Sequence, residues 1–265
     1  MSYQHLQVTH TGAIARVTLN RPECLNAMNM RMVIELREYF GALHARSQER
    51  VVILEGAGRA FCAGLDLKEM DGADARKGVV AMFEQQHSIR DVMLAMRRCP
   101  QPVISVLQGA ASGGGFALAL ASDVRLATPE LLMNAAFIRL GLSGCDVGVS
   151  YFLPRMVGSS VAAEFLLTGR FMDAPRALAL GLVSRVGTRD EMREEALTMA
   201  GDMLRATPLA LRLTKEALGL SLDAGSMEAV MAMEDRNQVL CTQGEDFYEG
   251  IAAFLEKRAP RYAGS

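Results

Sequence analysis

The chain has 265 residues, with 28 Lys and Arg against 30 Asp and Glu, so its formal net charge is −2. This balance, without a basic block, argues against a nucleic-acid-binding protein, and we expect no nucleic-acid partner. The apolar runs are far shorter than the ~18 residues of a membrane span. Met1–His5 lacks the pattern of a secretory signal, so we expect a cytoplasmic protein without a membrane partner.

Strand-like and helix-like segments alternate along most of the chain, which predicts an α/β core, and a helical stretch from about residue 190 predicts a separate layer. Asn29 is placed to cap the first long helix, and the loop Asp71–Asp74 is predicted to be the most mobile segment. In chain order we predict a hairpin (6–8 and 13–19), a helix from 30 to about 47, a strand (51–54), a helical stretch (67–99), a strand (103–107), a helix (116–121), a strand (124–127), a loop (142–148) and helices at 149–156, 158–168 and 174–182.

The cysteines and histidines form no recognisable metal or redox motif. The five cysteines are scattered without a Cys-x-x-Cys pair, and the four histidines form no His-Glu-x-x-His pattern. We therefore predict reduced thiols and no metal site.

Two glycine-bearing segments, 59–67 and 109–116, each follow a predicted strand and precede a predicted helix. Turns of this kind leave backbone N–H groups free at a helix start, where the helix dipole also favours negative charge. If both turns face one spot they form an oxyanion hole, which stabilises an enolate or a tetrahedral intermediate. The alternative for each turn is ordinary helix capping, in which glycine serves only backbone shape.

These segments, with others in a fixed order, resemble the crotonase (enoyl-CoA hydratase/isomerase) superfamily over nearly the whole chain. A triple glycine alone is weak evidence, whereas ordered segments at family spacing are strong evidence. The segments are Asn20-Arg21-Pro22, Leu25-Asn26-Ala27, Ala60–Leu67, Pro102–Gly115, Leu153–Gly158, Leu167–Gly169, Ala179–Val183 and Phe254–Arg258.

The resemblance implies a crotonase-type spiral of ββα units over residues 1–200, with a C-terminal helical trimerisation region over residues 201–265. It implies homotrimers, often paired into hexamers. It also implies an acyl-CoA thioester as substrate, with coenzyme A entering as part of that substrate and no other cofactor. The thioester carbonyl would lie between the amides of Ala63 and Gly114, which are the expected oxyanion donors.

The resemblance also indicates residues that contact the coenzyme A thioester. Arg21, Lys68 and, from a neighbouring subunit, Lys257 are candidates for the phosphates, and Phe254 is a candidate for the adenine. A solvated surface charge is the alternative for each of the three cations. The other residues that we assign to substrate or coenzyme A binding are Ala63, Leu65, Asp66, Leu67, Gly113 and Phe137.

The largest departure from the family pattern is the loss of two carboxylates. Hydratases of this superfamily resemble one another in two glutamates, and those positions are Ala117 and Phe137 here. Paired carboxylates let one group activate water while the other delivers a proton to carbon. Because neither apolar side chain can do this, ordinary hydration of an enoyl-CoA is in doubt.

Asp146 is the replacement candidate for the acid–base group. It lies in the loop after Gly141, where isomerases and a dehalogenase of this superfamily also place a functional aspartate. The alternative is that Asp146 caps the helix that follows. Nucleophilic chemistry of the dehalogenase type also needs a histidine base, and His87 is offset from the expected position by about half a turn.

Three functions remain open from the sequence. The first is an enoyl-CoA hydratase or isomerase that works through a thioester enolate. The second is a non-catalytic acyl-CoA-binding protein, which the loss of both glutamates motivates. The third is an acyl-CoA hydrolase or dehalogenase with Asp146 as nucleophile.

Overall fold

The structure is a computed structural model that describes residues 3–70 and 78–263. The predicted loop Asp71–Asp74 lies outside the described residues. Within these ranges, no helix combines the length and apolar character that crossing a bilayer requires.

A six-stranded sheet forms the first layer, in the order β1-β2-β3-β4-β6-β9. The predicted N-terminal hairpin is confirmed as the antiparallel pair β1 and β2, and the other neighbours are parallel. Strand β3 is buried along its whole length, as its unbroken apolar run predicts. The strands are β1 (Leu6–Thr11), β2 (Ile14–Leu19), β3 (Val51–Gly56), β4 (Val103–Leu107), β6 (Val124–Ala127) and β9 (Arg185–Val186).

A second sheet, in the order β5-β7-β8, contains short strands that the sequence analysis did not predict. Strands of two or three residues are too short to show a period of two. They are β5 (Ala110–Ser112), β7 (Leu132–Asn134) and β8 (Met172–Asp173).

Helices cover both sheets and supply much of the core. Asn29 caps α1 as predicted, since its side chain accepts from the Met32 amide. The helix ends at Ala42, earlier than the predicted residue 47, and continues as a 3-10 turn over Leu43–Ala45. The helices are α1 (Met30–Ala42), α2 (Leu67–Met70), α3 (Val79–Arg98), α4 (Gly114–Ala121), α5 (Val149–Val157), α6 (Ser159–Thr168), α7 (Ala174–Ala179), α8 (Arg189–Met203), α9 (Pro208–Ser221), α10 (Met227–Cys241) and α11 (Glu245–Leu255).

The chain advances by repeating a strand of the first sheet, a strand of the second sheet and a helix. The unit β4–β5–α4 shows this most clearly, and β6 and β7 begin the next turn in the same way. Because β3, β4 and β6 are neighbours in the first sheet, successive turns stack on one another. This is the predicted spiral of ββα units.

The predicted boundary between residues 200 and 201 falls inside α8, which packs on β3, β4 and β6 and therefore belongs to the spiral as far as Met203. Helices α9 to α11 form the layer that follows. Lys215 of α9 is buried and ties this layer to the spiral, because its Nζ donates to the carbonyl of Gln101 at 2.7 Å and pairs with Asp123 at 2.9 Å. The layer exposes large apolar side chains, among them Leu218, Met227, Val239, Tyr248, Phe254 and Leu255.

Candidate active site

Main-chain hydrogen bonds hold the two glycine turns side by side. The Phe61 amide donates to the Gln108 carbonyl at 2.7 Å, and the Cys62 amide donates to the Ala110 carbonyl at 2.9 Å. In return, the Ser112 amide donates to the Cys62 carbonyl at 3.0 Å. The segment after β3 is therefore paired with β5 in parallel, and both turns begin at the same edge.

Close backbone approach explains the glycines of the second turn. A Cβ on Gly115 would lie 2.1 Å from the Cys62 carbonyl oxygen, so no other residue fits there without moving the first turn. Gly113 has φ 52° and ψ −117°, a conformation that side chains with a Cβ rarely adopt. The triple glycine thus allows both the close contact and the sharp entry into α4.

The first turn corrects the prediction for Ala63. Its amide donates to the Leu25 carbonyl at 3.0 Å and is therefore not free to meet a ligand. Met28 pairs with the two neighbours of Leu65. Its amide donates to the Gly64 carbonyl at 2.7 Å, and its carbonyl accepts from the Asp66 amide at 2.9 Å. This pairing turns the Leu65 amide the other way, and it has no acceptor within the part of the chain that the structure describes.

In the second turn, the amides of Gly113 and Gly114 have different surroundings. The Gly113 amide is occupied, since it donates to the Asn134 carbonyl at 2.9 Å. Gly114 is the first residue of α4, and its amide finds no acceptor among residues 3–70 and 78–263. A Cβ placed on Gly64 would lie 3.7 Å from the Gly114 nitrogen, so the two turns leave their free amides close together. All residues of α4 are buried, and the dipole of that helix favours negative charge at Gly114.

Asn26 fixes the loop that occupies the Ala63 amide. It is fully buried, and its Nδ2 donates to the carbonyls of Ala57 and Ala60, both at 2.8 Å. Its Oδ1 accepts from the Arg21 amide at 2.9 Å. Leu25 and Asn26 both have positive φ, at 57° and 56°, which directs the Leu25 carbonyl towards the first turn.

The two positions that lack glutamate lie in the core next to the turns. Ala117 is fully buried in α4, one turn after the free amide of Gly114. Phe137 is 6% exposed, and its ring lies 3.5 Å from where a Cβ of Gly113 would be. This side of the site therefore contains an aromatic ring and a methyl group where a hydratase pair would have carboxylates.

Asp146 is half-buried in the loop before α5. Its Oδ1 accepts from the Val147 amide at 2.8 Å and from Nε2 of Gln86 on α3. Its Oδ2 has no partner within the described ranges. Helix α4 packs against both α3 and α5, so Asp146 belongs to the elements that flank the helix of Gly114.

The structure argues against the alternative that Asp146 is a helix cap. The N-cap of α5 is Gly148, with φ 95° and no side-chain capping bond, and Asp146 instead bonds its immediate neighbour. That neighbour, Val147, has φ 40°. A β-branched residue in this region costs about 1–3 kcal/mol and typically marks a functional or tightly held segment.

Neither His87, which the sequence analysis considered as a base, nor Cys62 is well placed for chemistry at this site. His87 is exposed, with its ring centroid 5.9 Å from that of Phe83, whereas Gln86 is the α3 residue that bonds Asp146. Cys62 adjoins the first turn, but burial raises its pKa to about 12, so its thiol stays neutral at physiological pH. Among the described residues, no group of His, Cys, Asp or Glu is arranged to hold a metal ion.

Arg21 and Asp66, both assigned to coenzyme A binding, pair with each other. The Arg21 Nη1 lies 3.0 Å from Asp66 Oδ2 and donates to the Ala27 carbonyl at 2.6 Å. Both side chains are about nine-tenths buried, at 12% and 10% exposed. The pair therefore links the loop before α1 to the first turn.

The remaining predicted contact residues lie on the surface. Leu67 is half exposed and Lys68 is exposed, both at the start of α2. Phe254 is 83% exposed near the end of α11, and Lys257 follows it with φ 52°. Within the described residues, none of these four side chains makes a hydrogen bond or ion pair with the two glycine turns.

Comparison with known proteins decides the family. A family model for enoyl-CoA hydratase/isomerase matches residues 9–265. The chain belongs to the enoyl-CoA hydratase/isomerase family. A probable enoyl-CoA hydratase of Mycobacterium bovis is 39% identical over 254 residues, which are 93% of this chain and 88% of that protein.

Two further comparisons cover the full length. A probable enoyl-CoA hydratase of Rhodobacter capsulatus is 35% identical over 265 residues, covering 100% of both chains. The crystal structure of an enoyl-CoA hydratase from Bacillus anthracis superposes with a TM-score of 0.93 at 32% identity, covering 99% of this chain and 100% of that one. Membership of the crotonase superfamily, predicted from the sequence, is confirmed.

Proposed function

We propose that this enzyme of the enoyl-CoA hydratase/isomerase family moves the double bond of an enoyl-CoA thioester through an enolate. The main support is that two adjacent turns leave the amides of Leu65 and Gly114 without an acceptor among residues 3–70 and 78–263. A thioester oxygen that accepts from both amides would hold the negative charge of the enolate. The buried helix α4 adds its dipole in an environment of low dielectric constant, where such donors act most strongly.

Asp146 is the proposed proton carrier. Its Oδ2, which has no partner among the described residues, takes a proton from C2 of a 3-enoyl thioester, and the C–H electrons move into the conjugated enolate. The same oxygen then returns the proton at C4, which leaves a 2-enoyl thioester and regenerates the carboxylate. The reaction needs no oxidant, reductant or water.

The apolar side of the site favours this proton shift over water addition. Hydration needs one group to activate water and a route for a proton to carbon. Ala117 and Phe137 offer no hydrogen-bonding atom at the positions where hydratases have their pair. A single carboxylate that moves one proton between two carbons suffices for isomerisation.

The surface residues suit a coenzyme A site that is completed by a second subunit. Lys68 lies near the first turn and can meet a phosphate as a point charge. We propose that the exposed apolar face of α9 to α11 packs in a homotrimer, in which Phe254 and Lys257 reach the adenine and a phosphate of a neighbour's ligand.

The test is a panel of 2-enoyl-CoA and 3-enoyl-CoA thioesters assayed with wild type and Asp146→Asn. We expect conversion of 3-enoyl to 2-enoyl thioesters by wild type. The substitution should lower kcat by about 10²–10⁴ with KM little changed, because the amide donors remain. Asp91→Asn on α3 is the control carboxylate, since among the described residues Asp91 pairs only with Arg90 and its side chain is 38% exposed.

Unchanged turnover in Asp146→Asn would rule out the proposed proton carrier. Tight binding of the thioesters with no turnover by wild type would instead indicate the non-catalytic binding protein. A covalent adduct at Asp146 detected by mass spectrometry would indicate the hydrolase or dehalogenase chemistry.

A further inference from the structure

We infer that Gln86 is a positioning residue, which holds one oxygen of Asp146 so that only the other oxygen is available to move the proton. This inference rests on the proposed function of Asp146. The observation behind it is a hydrogen bond between two residues 60 positions apart in the chain, Gln86 on α3 and Asp146 in the loop before α5.

The bond selects an oxygen. Nε2 of Gln86 lies 2.5 Å from Oδ1 of Asp146, and the Val147 amide donates to the same oxygen at 2.8 Å. Because an ionised carboxylate only accepts hydrogen bonds, the amide nitrogen of Gln86 must be the atom that faces it. Both donors therefore meet on Oδ1, and Oδ2 has no partner in the described part of the chain.

The chemical type of the donor suits a residue that must change protonation state. An amide does not titrate, so it holds Oδ1 in the same way before and after the proton moves. A neighbouring histidine or carboxylate would compete for that proton, and the adjacent His87 is exposed on another side of α3. Because both donors occupy Oδ1, Oδ2 is the atom left to take and return the proton, and the carboxyl acts at a single atom.

The loop backbone alone does not set this geometry. Val147 donates to Oδ1 from a backbone with φ 40°, and Gly148 follows with φ 95°. A loop with two consecutive left-handed residues is strained at Val147 and would relax if its side-chain anchor were lost. Among the described residues, Gln86 is the one side chain that links Asp146 to a helix of the spiral by a hydrogen bond.

The variant Gln86→Met keeps the length of the side chain and removes the donor. We expect kcat to fall about 10- to 100-fold with KM little changed, since a hydrogen bond to a charged group is lost. The product formed in D₂O should carry more solvent deuterium at C4, because a carboxyl that is free to turn exchanges its proton before returning it. Gln85→Met is the matched control, because Gln85 is also half-buried on α3 but makes no hydrogen bond within the described residues.

A double-mutant cycle with Asp146→Asn decides whether Gln86 acts through Asp146. In the activity cycle, Gln86→Met should have little further effect once Asp146 is Asn. In an unfolding cycle, the two substitutions should show a coupling that the Gln85 variant lacks, and this readout does not depend on turnover. Absent coupling, an unchanged kcat in Gln86→Met, or an equal loss in Gln85→Met would each overturn the inference.

Failure of the proposed function has a different signature. If wild type turns over no thioester of the panel, the isomerase proposal falls. If the unfolding cycle still shows coupling between Gln86 and Asp146, their hydrogen bond has only a structural role, and the positioning role is overturned as well. Turnover by wild type together with an unaffected Gln86→Met overturns the inference alone and leaves the proposed function standing.

Discussion

The two glycine turns and the loop that carries Asp146 are the two parts of the proposed site, and they are held in different ways. Main-chain hydrogen bonds join the segment that begins at Phe61 to the segment that ends at Ser112. The free amides of the two turns are part of this backbone. Asp146 depends on one side chain from another helix and on a backbone with φ 40° at Val147. The first region offers backbone amides as the proposed donors, and the second offers the side chain that we propose as the proton carrier.

Because they are held differently, the two parts of the site should respond differently to substitution. Side-chain changes cannot remove the amides of Leu65 and Gly114, and only changes that move the backbone should affect them. The Asp146 region should instead lose activity through single side chains while the fold persists. Substitutions at glycines in each region, and at a carboxylate outside both, test this contrast.

The largest effect is expected for Gly115→Ala. Its Cβ would lie 2.1 Å from the Cys62 carbonyl oxygen, which is backbone and cannot move alone. We expect the free energy of unfolding to fall by about 3 kcal/mol or more, with loss of soluble protein or of activity. The measurement is denaturant unfolding together with soluble yield.

Gly114→Ala is the matched control for that variant. A Cβ there meets only the Cε of Met28, at 2.4 Å, which is the end of a flexible side chain. This variant should fold with a much smaller loss of stability. Equal stability of the two variants would contradict the close packing of the turns.

A smaller effect on stability is expected for Gly148→Ala in the loop of Asp146. The residue has φ 95°, and a Cβ would lie 2.8 Å from Cε2 of the Phe152 ring. We expect the free energy of unfolding to fall by about 1–3 kcal/mol and kcat to fall with it, because the loop shifts Asp146. Steady-state kinetics and unfolding on the same samples measure both.

Gly141→Ala at the other end of the loop separates strain from displacement. It has φ 79°, but a Cβ there meets nothing within 4 Å. It should lose stability while keeping kcat. An equal loss of kcat in both variants would mean that the loop responds as a whole, not through the position of Asp146.

The smallest effect concerns Glu35, a buried carboxylate whose oxygens are both occupied. The Gln4 amide and Arg31 donate to Oε1, and the His5 amide donates to Oε2, each at 2.8 Å. Burial acts to raise the pKa of Glu35, but these donors together lower it below its usual value. The stabilisation is therefore present above the unfolded pKa of about 4.3 and is lost as the pH falls through the lower folded value.

Glu35→Gln should lower the free energy of unfolding by about 1–3 kcal/mol at pH 7, and the difference from wild type should shrink below about pH 4. Its kcat should match wild type, in contrast to Asp146→Asn. Unfolding curves at several pH values give the first result. A stability difference that does not change with pH would contradict the role of the carboxylate.

The fold was accessible from the sequence because its markers are local. The hairpin, the apolar runs of β3 and β4 and the Asn29 cap each depend on neighbouring residues. The short strands β5, β7, β8 and β9 were missed because segments of two or three residues show no period, and pairing with the rest of the fold is what defines them.

The site was accessible only in part. The triple glycine pointed to Gly114, whose amide has no acceptor among the described residues, but the sequence analysis chose Ala63 in the first turn, where the amide is occupied and that of Leu65 is not. The choice between Ala63 and Leu65 depends on the carbonyl of Leu25 and on pairing with Met28, both distant in sequence from the turn. Gln86 was missed because nothing in the sequence distinguishes it from Gln85 before α3 is packed against the loop of Asp146.

The most direct measurement is a crystal structure with an unreactive acyl-CoA thioester analogue bound. We predict that the carbonyl oxygen lies about 2.7–3.1 Å from the nitrogens of both Leu65 and Gly114. The Ala63 amide should still donate to the Leu25 carbonyl. A carbonyl oxygen bound to the Ala63 amide, or out of reach of both predicted donors, would contradict the account.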